Sequence, residues 1–175
     1  MENEYKDIIN GCTKWERSAQ ESLYRLFSKN LFKVCRLYGS DVQDSEDMLH
    51  DAFMHIYKNI HQYTFTGSFE GWLRRVTVNC CLQTLRKRKS FTQLAEYQLE
   101  AEESEDLDTS IPFPRILEEI NTLPVKAGLV LKLYALEGWT HAEIAEELDI
   151  SIGTSKSQLS YARQVLKQKL APLMK

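Results

Sequence analysis

The chain has 175 residues, is 43% hydrophobic and carries a formal net charge of −3, which suits one ordinary domain or two small ones with packed cores. No apolar run approaches the ~18 residues of a bilayer span and neither terminus carries a targeting pattern, so a cytoplasmic protein without membrane insertion is expected. Net acidity excludes bulk electrostatics as a sole means of holding nucleic acid, but the charge is unevenly spread: residues 1–90 are net +3, residues 91–115 net −6 and residues 116–175 neutral.

In chain order, Leu23, Leu26, Phe27, Leu31, Val34 and Tyr38 recur at helical spacing and predict an amphipathic helix closed by Gly39. From Asp44, the residues Met48, Leu49, Ala52, Phe53, Ile56, Tyr57 and Ile60 lay one apolar stripe along a second helix. Asp44 is its expected N-cap, with Asp47 in the favourable first turn. A third helix follows Gly67, capped by Ser68, with Phe69, Trp72, Leu73, Val76 and Cys80 on one face and the basic run Arg86 to Lys89 at its C-terminus. Together these read as a small helical bundle over residues 1–90.

Two residue types bear on cofactors. The cysteines are Cys12, Cys35, Cys80 and Cys81, and an adjacent pair lacks the gap that lets two thiolates share one metal. They read as reduced, mostly buried thiols. The histidines His50, His55, His61 and His141 show no i, i+4 pair. Neither a metal nor any other cofactor is expected.

Residues 91–115 include Glu100-Ala-Glu-Glu-Ser-Glu-Asp-Leu-Asp108, then Pro112 and Pro114. With little apolar matter to bury and charges that repel one another, the stretch reads as an acidic flexible linker. The block 116–175 is again helical. Pro124 suits a first helical turn, Leu129, Val130, Leu133 and Leu136 form the buried stripe, and Gly138 ends the helix. Thr140-His-Ala-Glu143 matches a capping box, opening a short helix with Ile144, Ala145 and Leu148 inward. After a tight connection, Ser151 caps a longer helix to about residue 170, with Leu159, Ala162, Leu166 and Leu170 as its apolar side. Helix, tight turn and longer helix form a helix-turn-helix, whose second helix can enter a DNA major groove by its N-terminal half. That half is Gly153-Thr-Ser-Lys-Ser-Gln158, and no acidic residue follows Asp149. The fold class expected is all-α, two small helical domains joined by the acidic linker.

These residues carry a resemblance. The stretch Ser45 to Tyr57, then Gly67 to Arg75, then Asn79 to Lys89, followed by Leu123-Pro124, Glu137 to Leu148 and Ile150 to Leu159, resembles the extracytoplasmic-function sigma factors. That compact group of sigma-70-type factors keeps only regions 2 and 4. Order, spacing and acidic separator carry the likeness together, since a helix-turn-helix alone occurs in many regulators.

The resemblance implies that the chain binds core RNA polymerase and promoter DNA, and that an anti-sigma protein holds it inactive. It implies polymerase docking through Asp47, His50, Asp51, Phe53 and Tyr57, although Phe53 and Tyr57 also fit a purely structural place in the core. The group usually has Gln where His50 stands. For the minus-ten element it implies Tyr63, Phe65, Ser68, Arg75, Asn79, Arg86, Lys87 and Arg88. Tyr63 and Phe65 sit in a loop where exposed aromatic faces suit capture of an unstacked base, whereas Phe69 and Trp72 belong to the buried stripe. The basic run also fits a merely solvated helix end. For the minus-thirty-five element the matching positions are Ser151, Thr154, Ser155, Lys156, Ser157, Gln158, Ser160, Tyr161 and Arg163, with Gln158 suited to adenine and Lys156 to guanine. Ser155 departs from the valine usual in the motif.

The competing reading is an autonomous helix-turn-helix regulator, which accounts for the second block but leaves the features of the first unexplained. An enzyme is not expected: no Gly-rich phosphate loop, metal spacing or nucleophile arrangement is present in the sequence.

Overall fold

The computed structural model describes residues 5–88 and 111–173. Their regular structure is helical: α1 (Lys6–Thr13), α2 (Arg17–Cys35), α3 (Val42–Asn59), α4 (Phe69–Lys87), α5 (Phe113–Asn121), α6 (Val125–Leu131), α7 (His141–Leu148) and α8 (Ile152–Leu170). The chain divides into two compact units, 1–90 and 91–175, so the fold is all-α with two helical domains. Most of the acidic stretch read as a tether, residues 91–110, lies outside the described residues. Among the described residues no helix is long and apolar enough to cross a membrane.

In the first unit α3 packs against both α2 and α4, and α1 packs on α2. The stripe predicted on α3 is the buried one: Met48, Leu49, Ala52, Phe53 and Ile56 are buried, as are Leu23, Phe27, Leu31 and Val34 of α2 and Leu73, Val78 and Leu82 of α4, the helices on which α3 packs. Each fully buried aliphatic side chain here contributes about 2 kcal/mol of transfer free energy. All four cysteine side chains are buried as well.

Helix boundaries differ from the sequence reading at the end of α2, which stops at Cys35 and not at Gly39, and at the start of α3. Asp41, not Asp44, is the N-cap of α3, and its carboxylate accepts the Asp44 N–H at 2.8 Å. Aspartates at positions 41, 44 and 47 are spaced so that any of them could open the helix, and the choice is tertiary. Asp44 is 9% exposed and accepts from the Ser40 N–H at 2.7 Å and from the Ser40 hydroxyl at 3.0 Å. The Arg88 guanidinium, just past the end of α4, pairs with it in a two-pronged ion pair, Nη1 donating to Oδ2 at 2.7 Å and Nη2 to Oδ1. Gly39 is needed for close approach rather than for a left-handed turn, because a Cβ there would collide with Ser45.

In the second unit α8 packs against α5, α6 and α7. Leu159, Ala162, Leu166 and Leu170 of α8 share a core with Leu129, Val130, Leu133, Ile144 and Leu148. The helix α5 begins at Phe113, inside the segment read as linker to 115, and leads with Pro114 in its first turn. After α6 the chain widens into one π turn, Lys132–Leu136. Gly138, at φ +70°, then ends the element, with the Trp139 N–H reaching back to the Leu133 carbonyl at 3.0 Å. The capping box at Thr140 and Glu143 and the cap at Ser151 form as the sequence predicts. Between them Asp149 turns the chain in the left-handed region at φ +52°.

The Arg88 guanidinium and the Ser40 bonds hold the Asp44 carboxyl well below the usual carboxylate range. A carboxyl so depressed adds its stability above its unfolded value of about 4 and loses it as pH falls from there toward the folded value. Asp44→Asn should therefore lower unfolding stability by about 2 kcal/mol at neutral pH. In urea titrations across pH, the gap from wild type should close in acid.

Candidate functional site

On α3 the helical period separates two faces. Phe53 is 3% exposed, its ring against Tyr24 at 4.7 Å and Tyr57 at 5.8 Å. The Tyr57 hydroxyl donates to the Gln20 carbonyl at 3.0 Å, and burial pushes that phenol up to about 12. Both rings thus hold α3 to α2. Asp47, His50, Asp51 and Met54, at i, i+3, i+4 and i+7, form an exposed row. Beside it runs an open groove of about 490 Å³ between α2 and α3, lined among others by Tyr24, Lys29, Phe32, His50 and Met54. Met54, 39% exposed, is a part of this face that the sequence reading missed, because its apolar character assigned it no polar role.

The loop between α3 and α4 places its aromatic residues differently from one another. Tyr63 is 9% exposed, not the open ring expected of it. It lies against Phe69 at 5.1 Å and Trp72 at 5.8 Å, and its hydroxyl donates to the Gly67 carbonyl at 2.8 Å, closing the loop. Phe65 remains outside, 36% exposed at φ +60°, against the edge of Tyr63. The Ser68 hydroxyl caps α4 by accepting the Gly71 N–H at 3.3 Å. Along α4, Arg75, Arg86 and Lys87 are exposed, and Asn79 is half-buried with a buried Oδ1 that has no hydrogen-bond partner. Arg88, counted with the DNA-facing basic run in the sequence, is engaged by Asp44. Lys89 lies outside the described residues.

At the start of α8 the nine matching positions divide by helical rotation. Ser151 caps the helix and its hydroxyl lies 2.8 Å from that of Thr154. Ser157 donates to the Thr154 carbonyl at 3.0 Å. Lys156 is exposed, while Ser160, Tyr161 and Arg163 are half-buried. Ser155 and Gln158 are the departure: they are 0% and 1% exposed. Positions 155, 158, 159 and 162 follow i, i+3, i+4 and i+7, so burying Leu159 and Ala162 carries Ser155 and Gln158 inward. Gln158 therefore does not present its amide to a base edge, and its Nε2 has no hydrogen-bond partner. The buried Ser155 hydroxyl has one, His141 Nδ1 at 2.9 Å. Neither His141 nor its neighbour Tyr134 stood out in sequence, since neither lies on an apolar stripe.

Comparison with known proteins finds two family models along the chain, Sigma-70 region 2 at residues 23–91 and Sigma-70 region 4 at residues 114–166. The chain is 28% identical over 169 residues to the ECF RNA polymerase sigma factor SigM of Mycobacterium tuberculosis, covering 95% of this chain and 85% of that one. It is 25% identical over 192 residues to the ECF RNA polymerase sigma factor SigW of Bacillus subtilis, covering 99% and 100%. Its fold is similar to the sigma factor RpoE solved in complex with the anti-sigma factor NepR from Bartonella quintana, with a TM-score of 0.56 and 19% identity over 86% of this chain and 96% of that one.

A buried amide with an unmet donor is a cost without a compensating bond. Gln158→Met should raise the denaturation midpoint, by up to about 1 kcal/mol in stability, and leave DNA sequence preference unchanged. A shifted preference would return Gln158 to the DNA-reading set.

Proposed function

The chain belongs to the sigma-70 family, in its extracytoplasmic-function group, and on that premise we propose how its surfaces divide the work of an RNA polymerase sigma factor. The first unit docks on core polymerase through the exposed row Asp47, His50, Asp51 and Met54, with Phe53 and Tyr57 holding the helix that carries it. The observation behind this reading is that row itself: three polar side chains and a methionine standing outside a fully packed helix, beside an open groove. An autonomous helix-turn-helix regulator has no use for it.

In the minus-ten region Phe65 is the ring available to an unstacked base, since stacking needs an open face. Tyr63 acts through it, by closing the loop that holds Phe65 outward. Arg75, Arg86 and Lys87 supply cations for adjacent phosphates, and Arg88 serves the fold through Asp44. In the minus-thirty-five region Ser151, Thr154 and the first amides of α8 suit a phosphate. Lys156 is the exposed side chain best placed for a base edge, followed by Ser160 and Arg163 one and two turns on. No energy source beyond binding is needed: polymerase docking brings the factor to DNA, and the contacts select where opening starts.

Partner control follows the same geometry. The solved RpoE is held by an anti-sigma factor, and an anti-sigma protein that covers the α3 row of this chain keeps it from polymerase.

Equilibrium binding to bacterial core RNA polymerase tests the docking face. Asp51→Lys should weaken binding at least about tenfold, the cost of placing a like or unpaired charge in a polar contact, with helical content unchanged. Unaltered affinity would remove Asp51 from the face. On DNA, Lys156→Ala should change which promoters are preferred, whereas a uniform loss across sequences would make Lys156 a phosphate contact.

A further inference from the structure

His141 joins three elements of the second unit. It is the first residue of α7, its ring stacks on Tyr134 of the π turn at 4.7 Å and 24°, and its Nδ1 meets the wholly buried Ser155 hydroxyl of α8 at 2.9 Å. Tyr134 in turn carries the Arg163 guanidinium over its ring at 5.6 Å. Ser155 immediately precedes Lys156, so the joint is one residue along α8 from the side chain given the base-reading role.

We propose that His141 is a positioning residue for the recognition helix and that, resting on the minus-thirty-five reading above, it makes this reading sensitive to acid. With an unprotonated Nδ1, the ring accepts the Ser155 hydroxyl proton and ties the first turn of α8 to α7. Protonation reverses the bond. Nδ1–H must then donate to Ser155 Oγ, and the hydroxyl proton has to find another acceptor in a site with no exposure. It also adds a cation where cations already stand. From α8, Lys156 and Arg163 act on the ring; from the π turn it meets Tyr134; of the carboxylates next along the chain, Glu137 follows that turn and Glu143 is engaged with Thr140 in the capping box. Burial first, then Lys156 and Arg163, lower the imidazole below its ordinary value. Stability linked to the neutral ring is therefore full above the unfolded value of about 6.5 and is lost as pH falls through the folded one. A buried Ser at this position calls for a partner that the valine of the related motif does not need.

The readout must be sequence preference rather than affinity. A protonated His141 beside Lys156 also strengthens attraction to phosphate, which raises binding to every sequence alike. The full chain bound to bacterial core RNA polymerase is presented with duplex promoter DNA whose minus-thirty-five window is randomised. Enriched and scrambled windows are then compared at about pH 7.5 and about pH 5.5, the span over which imidazole titrates. The histidines of the first unit act equally on both probes and cancel. The wild-type preference should fall about fivefold in acid, the worth of one ordinary hydrogen bond, while His141→Asn and Ser155→Val show no change with pH. Should His141→Asn fail to fold, Ser155→Val, which keeps the imidazole and removes the bond, decides alone. A wild-type preference that ignores pH, or the same fall in Ser155→Val, overturns the proposal. If a folded, polymerase-bound chain enriches no window at neutral pH, the minus-thirty-five reading itself fails and the proposal falls with it.

Discussion

Burying the apolar stripe of a helix fixes its rotation, and the rotation decides which of its polar residues can meet a partner. In this protein α3 and α8 each bury one face and leave another exposed. On α3 the burial of Met48, Ala52, Phe53 and Ile56 leaves Asp47, His50, Asp51 and Met54 outside. On α8 the burial of Leu159, Ala162 and Leu166 turns Lys156 outward and draws Ser155 and Gln158 in. A side chain one position away from an exposed residue is thus placed by packing, and its chemistry serves the fold. The two surfaces owe their composition to the same rule, although one is acidic and the other basic.

Polar groups drawn inward are then obliged to find partners, and those partners are the anchors of the fold. Asp44 sits at the start of α3, and its carboxylate is met by Ser40 and by Arg88 from beyond the end of α4. This ties together two helix ends far apart in sequence, the end of α4 and the start of α3. The same pairing engages a cation that the sequence reading counts toward a nucleic-acid contact. Ser155 is satisfied in a comparable way by His141. Gln158 is not: its Nε2 stays without a partner, so this one residue weakens the packing that the rest of α8 provides.

The loop between α3 and α4 shows the division of labour among aromatic residues. Tyr63, Phe69 and Trp72 pack on one another, and Tyr5 and Phe27 extend the cluster through their contacts with Phe69 and with each other. Phe65 alone of the loop's rings is held out, at a backbone conformation that L-residues rarely adopt. On the proposed reading of Phe65 as a base-stacking ring, such a fixed position would spare the entropy that a mobile ring loses on binding.

Sequence by itself determined α2, α3, α4, α6, α7 and α8, the caps of α4, α7 and α8 and the helix-turn-helix, because periodicity, Ser and Thr caps and the glycine at 138 are local signals that tertiary context did not override. It also carried the family likeness, through the order and spacing of its motifs. What it left undecided was contact. The α5 helix was hidden by the prolines and acidic residues before it, which read as linker. The cap of α3 depended on Arg88 claiming Asp44 across 44 residues. Tyr63 looked available because a loop aromatic has no local reason to be buried, and it was buried by Phe69 and Trp72. Gln158 looked available because its neighbours are small and polar, and it was turned inward by the apolar residues that follow. Only the tertiary structure settles such cases, since the energy that places these side chains comes from residues that are neighbours in space and not along the chain.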